Sequence, residues 1–254
     1  MSASSLDTAV PITPEQLEQL TEAKFAAILA DDPRQASRWI RAAAEHGIVQ
    51  AQAMWGQILL EGRGTEKNPE EAYQWFKHAA YQDHPHAMNM LARCYEHGWG
   101  TPHNPVVAAF WYKKAANTGL DWGMYNYANL LIKGYGVKAD RAEALKWYRQ
   151  AASLGHAKSI NIIGRFHEEG WEVQQDIGLA TAYYKQAAIG GDFRGQFNYA
   201  RMLINAGEAA EAVKWLMKIP ETATEVFMQD LLGYLETSTH PVLRQAAAKL
   251  KDRA

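Results

Sequence analysis

The chain has 254 residues, 48% hydrophobic and 21% charged, with a formal net charge of −2. That leaves room for one extended domain or two small compact ones, and gives no bulk charge to draw the chain onto nucleic acid or an anionic membrane. The single cysteine, Cys94, cannot close an internal disulfide, which excludes a disulfide-stapled scaffold and fits a reducing compartment.

The first residues, MSASSLDTAVPITPEQ, lack a basic region followed by an apolar core, and no apolar run reaches membrane-spanning length. The expected location is therefore cytoplasmic. Residues 1–12 read as a flexible lead-in. Thr13-Pro14-Glu15-Gln16 supplies a capping threonine and a first-turn proline, so a helix starts there and is expected to run to about Ala30, with Leu17, Leu20, Phe25, Ile28 and Leu29 inward. From Asp32 onward one pattern repeats. WIRAAAEHG at 39–47, WFKHAA at 75–80, WYKKAANTG at 111–119, WYRQAASLG at 147–155 and YYKQAAIGG at 183–191 place their leading aromatic 36 residues apart. A fixed period of this size marks an array of helical repeats.

Each copy announces its second helix in the same way. Asp32, Asn68, Asn104, Asp140 and Asp176 occupy a cap slot, the first three followed by proline, and their side-chain oxygens can accept an orphan N–H. Gly47, Gly119, Gly155 and Gly191 end these helices, with Asp83 in that place in one copy. The first helices share the pairs Trp55-Gly56, Leu91-Ala92, Tyr127-Ala128, Ile163-Gly164 and Tyr199-Ala200, in which the small residue admits a neighbouring helix. They end in Gly62-Arg-Gly64, Gly98-Trp-Gly100 and Gly134-Tyr-Gly136, while the next copy has Gly170-Trp171-Glu172. The regularity fades after Tyr183, since Trp215 follows by 32 residues, and helices near 222–236 and 241–253 are expected to close the end of the array.

The first-helix pattern, the Gly-x-Gly turn and the Ala-x2-Trp-Tyr-x2-Ala-Ala-x2-Gly run resemble the Sel-one-like repeat (SLR) family, a relative of the tetratricopeptide repeat. The best copies are 88–119, 124–155 and 160–191, and the likeness covers about residues 31–218. It implies an all-α, right-handed superhelical solenoid of antiparallel helix pairs over 13–218, five to six pairs, with 219–254 as capping helices. It also implies a non-enzymatic protein-interaction scaffold whose first helices line the concave side. Some secreted members are stapled by disulfides and linked to β-lactam binding or hydrolysis. This chain has no paired cysteines, so a hydrolase of that kind is an alternative rather than the expectation.

Helical spacing puts a second stripe on the first helices, opposite the packing residues. It runs through His86, Asn89, Arg93 and His97; Trp122, Tyr125, Asn129 and Lys133; Lys158, Asn161, Arg165 and Glu169; and Arg194, Phe197, Arg201 and Asn205. The two central layers hold three arginines, three asparagines, two aromatics and no acid. Amides can pair with a bound backbone and guanidinium forks with a carboxylate. Asn89, Arg93, Trp122, Tyr125, Asn129, Lys158, Asn161, Arg165, Arg194, Phe197 and Arg201 are thus the candidate partner-binding residues, and the expected ligand is a protein or peptide, acidic or with a free carboxylate. The competing explanation is that Arg93 and Arg165 pair with Glu96 and with Glu168 or Glu169 on their own helices.

Other chemistry is weakly signalled. His78, His84, His86, His97 and His103 cluster without the spacing of a zinc site, His167 occupies a core slot, and Cys94 reads as a buried packing residue. No cofactor, metal or catalytic group is expected. RNA binding, as in helical arrays of nearly equal period, is a second alternative, disfavoured by the charge. Trp99, Tyr135 and Trp171 fall at loop tips, where they are candidates for a second contact edge.

Overall fold

The computed structural model of the chain describes residues 12–19, 21, 27–28 and 32–251. Its secondary structure there is helical, with no strand among the described residues. Helix α1, Pro14–Glu18, carries the expected threonine cap, with Thr13 accepting from the Gln16 amide. It stops at Glu18, with Gln19 as its cap, and does not run on to Ala30. Leu20, Phe25, Leu29 and Ala30 lie outside the described residues, as do residues 1–11.

The repeats follow as α2 (Pro33–Glu45), α3 (Val49–Glu61), α4 (Pro69–Ala80), α5 (Pro85–His97), α6 (Pro105–Asn117), α7 (Asp121–Lys133), α8 (Arg141–Ser153), α9 (Ala157–Glu169), α10 (Ile177–Ile189) and α11 (Phe193–Asn205). The chain continues through α12 (Ala209–Leu216), a short 3-10 turn, α13 (Glu225–Glu236) and α14 (Pro241–Lys251). The five cap residues act as their spacing requires. Asp32, Asn68, Asn104, Asp140 and Asp176 accept from the amides of Arg34, Glu71, Val107, Glu143 and Leu179 at 2.8–3.2 Å. The fold is the all-α repeat solenoid that the period implied, with neighbouring helices packed in chain order.

The chain divides into two compact units, one reaching residue 123 and including 135–137, the other holding 124–134 and everything from 138 onward. In the first unit, Gly56 seats on the Phe76 ring so closely that a Cβ there would lie 2.8 Å from it. In the second, Gly164 seats on Tyr184 at the same 2.8 Å. The second unit ends in one apolar cluster that joins Tyr199 and Leu203 of α11 and Leu216 of α12 to Leu231 and Leu235 of α13 and Leu243 and Leu250 of α14.

Two kinds of glycine hold the turns. Gly119 has φ 91° and open space around a Cβ position, so only its left-handed backbone matters. Gly64, Gly100 and Gly136 add a contact: a Cβ would stand 2.2, 2.0 and 2.0 Å from the carbonyl oxygens of Pro33, Pro69 and Pro105. The second glycine of each turn therefore rests on the first residue of the preceding second helix. In the fourth copy, where Arg141 replaces the proline, Glu172 holds the left-handed backbone at φ 55°. This separates two mutational costs. Gly119→Ala should lower stability by about 1–2 kcal/mol, the cost of a left-handed non-glycine residue. Gly100→Ala should lose that and a further ~1–3 kcal/mol of overlap. Equal shifts of the urea midpoint for the two variants would show that the contact with Pro69 is unimportant.

Candidate functional site

In four of the five second-helix signatures the leading aromatic is followed by a ring that goes fully inside: Phe76, Tyr112, Tyr148 and Tyr184 are among the largest completely buried side chains, with Ile40 in that place in the first. A buried phenol needs a hydrogen-bond partner. Tyr112 donates to Glu96 Oε2 at 2.6 Å in the first unit. In the second unit Tyr184 donates to Glu168 Oε2 at 2.6 Å and Tyr148 to Asn129 Oδ1 at 2.7 Å. The repeat thus offers two solutions: an acid one turn beyond an arginine (Arg93/Glu96, Arg165/Glu168), or an asparagine in the arginine's own place, with Ile132 where the acid would be. Where the ring is Phe76, which has no hydroxyl, the acid's place is taken by Leu60.

This arrangement corrects the acid-free strip expected from the sequence. Glu168 lies beside the stripe and takes both nitrogens of Arg201, at 2.6 and 2.7 Å. The side chains of Arg201 and Glu168 are only 30% and 17% exposed. The guanidinium hydrogen bonds hold the Glu168 carboxyl below its usual range, with the Tyr184 hydrogen bond adding to the effect, while burial pushes the Tyr184 phenol up. Arg201 is consequently a structural cation, and Asn129 a core hydrogen-bond acceptor.

The own-helix pairing considered for Arg93 and Arg165 is not what forms either. Arg93 lies 4.9 Å over the Trp99 ring, and Arg165 lies 4.9 Å over Trp171, whose ring also carries Arg141 at 5.1 Å. Trp99, between Arg93 and the His97 ring, and Trp171, under two arginines, are half-buried and so are not free loop tips. Tyr135 is more exposed and its hydroxyl meets His103.

The remaining stripe residues divide by depth. Asn89 is buried in the first unit, where Trp122 stands 40% exposed. In the second unit, Tyr125 packs on Tyr148 and His156, and Asn161 is buried with its oxygen accepting from Asn198 at 2.9 Å. Phe197 is half-buried edge-on against Phe227 and Tyr234 of α13. Arg194 reaches over Phe193 at 4.5 Å, and its side chain is exposed, as is that of Arg165, while Lys158 is half-buried. The outward-reaching chemistry of this unit's stripe is cationic: Lys158, Arg165 and Arg194.

Two roles escaped the reading of the sequence. His84 and His156 cap the first helices α5 and α9, each ring Nδ1 accepting an amide from Ala87 or Ser159. Asp192 does the same for α11. The signal was present, since 84, 156 and 192 are separated by multiples of the repeat length. His167 is buried and stacked on Tyr183, and the fully buried Cys94 thiol is pushed up to about 12 by its surroundings, in keeping with packing roles. Among the described residues no cluster of histidine, cysteine or acidic side chains could hold a metal. Nor is any helix there long and apolar enough to cross a membrane.

A family model of the Sel1 repeat matches residues 28–48, 49–84, 85–120, 123–156 and 157–192, well over half of the chain. The chain belongs to the Sel1 repeat family. Comparison with curated protein sequences gives no match. Among solved structures, a Sel1 repeat protein from Oxalobacter formigenes is 25% identical, with 91% of this chain and 97% of that one covered and a TM-score of 0.77. A protective antigen of uropathogenic Escherichia coli strains, displaying the same repeat fold, is 24% identical over 94% of this chain with a TM-score of 0.71. This chain spans 56% of that antigen's length. An immunity protein from Pseudomonas aeruginosa is 19% identical, with 81% and 79% of the two chains covered and a TM-score of 0.57. The last two likenesses extend to the fold alone. Sel1 repeats commonly mediate protein–protein interaction, and proteins of this family are generally non-enzymatic scaffolds.

The Glu168 triad makes a testable claim about this Sel1 repeat chain. Because the folded carboxyl titrates below the unfolded one, its stabilisation is complete above the unfolded value of about 4.3. It is lost as pH falls through the folded value. Glu168→Gln keeps an acceptor for Tyr184 but removes the charge, and should cost about 2 kcal/mol at pH 7. That difference between variant and parent should shrink as urea unfolding is repeated at progressively lower pH below 5. A gap that persisted unchanged into acid would exclude the ion pair as its source.

Proposed function

We propose that this Sel1 repeat protein is a non-enzymatic adaptor that binds an acidic segment of a partner protein along the stripe of its first helices. The observation that carries the proposal is the cationic trio Lys158, Arg165 and Arg194, which successive first helices α9 and α11 of the second unit present on the stripe. Arg165 is held extended over Trp171 and Arg194 over Phe193. Side chains ordered in this way lose less rotamer entropy when they meet a carboxylate. Asn161 and Asn198 lie on the same two helices and pair with each other beneath the cations. In the first unit the counterpart is Arg93 over Trp99 on the helix of Asn89, with exposed Trp122 as an apolar anchor.

Residues 13–218 then form the interaction module and 219–254 its cap. Asn129, Phe197 and Arg201 support the stripe without being its contact groups. The buried thiol of the one cysteine suits a reducing, cytoplasmic setting.

The test uses the full chain as bait in extract of the native cell. Lys158→Glu/Arg165→Glu/Arg194→Glu should lose the partners that the parent retains, by tenfold or more in quantitative mass spectrometry, with circular dichroism unchanged. Lys158 and Arg194 also act on the buried Asp192 carboxylate, so the urea midpoint of the variant is compared with that of the parent before its partners are read. Identical partner profiles for parent and variant would rule out the stripe.

A further inference from the structure

The outer face of α6 breaks the repeat in a way its packing does not require. Val106 and Phe110, one turn apart on that face, are 65% and 57% exposed. The matching positions in the other copies hold Arg34 and Arg38, Glu70 and Gln74, Ala142 and Lys146, and Gly178 and Ala182. The core is complete with small or polar residues there, so an aromatic at 110 is not demanded by the fold. Scattered exposed apolar side chains are ordinary on any surface, but these are contiguous. Tyr81, 68% exposed at the end of α4, stands edge-on to Trp111 at 5.3 Å, and Phe110 meets the same indole at 5.4 Å. Trp111 itself is buried, and both exposed rings meet it edge-on.

The charge beside this patch is positive. Lys114 lies 5.2 Å from the Trp111 ring centre and 6.0 Å from that of Phe110, and Lys113 is exposed next to it. The acid near Lys114 is Asp83, 3.9 Å away and 82% exposed, a loose, solvated pairing that a partner carboxylate can replace. A second copy of the chain laid symmetrically on the patch would bring Lys114 against Lys114, which disfavours self-pairing.

From this juxtaposition we infer that Tyr81, Phe110 and Trp111, flanked by Lys113 and Lys114, form a second docking surface. Its partner is an acidic protein segment that sets one large apolar side chain against the two exposed rings and carboxylates against the lysines. Aromatic residues with a charged rim are the usual composition of an interface centre. The surface lies on a second helix and does not depend on the first-helix stripe. With both occupied, the protein would join two different acidic partners.

The experiment is selection of a displayed random-peptide library on the full-length protein, followed by affinity measurement of the enriched peptides. The expected peptides carry Leu, Phe or Trp flanked by Asp or Glu. They bind Tyr81→Ser/Phe110→Ser at least tenfold more weakly than the parent, and Lys158→Glu/Arg165→Glu/Arg194→Glu as well as the parent. Both serine positions are exposed, so the urea midpoint should be unchanged, and loss of binding then reports on the surface. The inference is overturned if no acidic, apolar peptides are enriched, or if the serine variant binds them fully. It is also overturned if only the charge-reversed stripe variant loses them. Concentration-dependent dimerisation abolished by Phe110→Ser would assign the patch to a second copy. Binding to phosphatidylserine vesicles in place of peptides would assign it to a membrane. Either result rejects the proposal.

Discussion

Four copies of the repeat are built on the seating of a large second-helix ring against a first-helix residue too small to keep it away. Phe76 on Gly56 and Tyr184 on Gly164 leave no room for a methyl group, and Ala92, Ala128 and Ala200 fill the same slot in the other copies with no exposed surface. The contact fixes how closely the two helices approach. It also carries a polar consequence, because three of the rings are tyrosines whose hydroxyls go inside with them. A buried hydroxyl without a partner would cost about as much as a well-placed one returns. The repeat therefore has to supply Glu96, Asn129 or Glu168.

From that requirement the composition of the ligand-facing stripe follows in part. A carboxylate placed beside the stripe to receive a phenol must itself be neutralised, and Arg201 forks onto Glu168 to do so. Where asparagine serves as acceptor, no acid is needed and none stands there. Part of what looks like a recognition surface in sequence is thus the outer layer of a core solution. Arg201 is committed to that carboxylate, whereas Trp99 and Trp171 hold Arg93 and Arg165 extended, and Lys158 and Arg194 act on the buried Asp192 carboxylate. The loop tryptophan and the helix arginine occur together at 93/99 and 165/171, and Asn129 and Tyr135 stand in their places in the copy between.

The sequence made the helices, their caps and their glycine ends readable because each depends on interactions within a few residues, repeated five times at constant spacing. The buried rings and the close helix pairs were readable for the same reason, and His167 could be placed in the core from its slot alone. What stayed hidden were pairings between helices. Helical periodicity assigned Arg201 and Phe197 to an outward stripe but could not show Glu168 approaching one or Phe227 and Tyr234 flanking the other. Those contacts join residues 30 to 37 positions apart, and their geometry is set by how successive pairs stack. The N-terminal helix failed for a different reason. A good cap and first-turn proline specify where a helix starts, but its length depends on what its apolar face can bury, which a lone segment before the array does not reveal.

A periodic sequence also supplies its own internal control. A residue present in every copy is explained by the repeat, and one that changes together with its neighbours, as Ile132 does with Asn129, is explained by compensation. Phe110 fits neither case. Its counterparts are Arg38, Gln74, Lys146 and Ala182, and the ring, though edge-on to Trp111, stays more than half exposed, as does Tyr81. The edge contacts of Tyr81 and Phe110 with Trp111 are small beside the apolar area these two rings leave in water. The contrast between copies thus isolates the positions where the protein's surface is set by something other than its own folding.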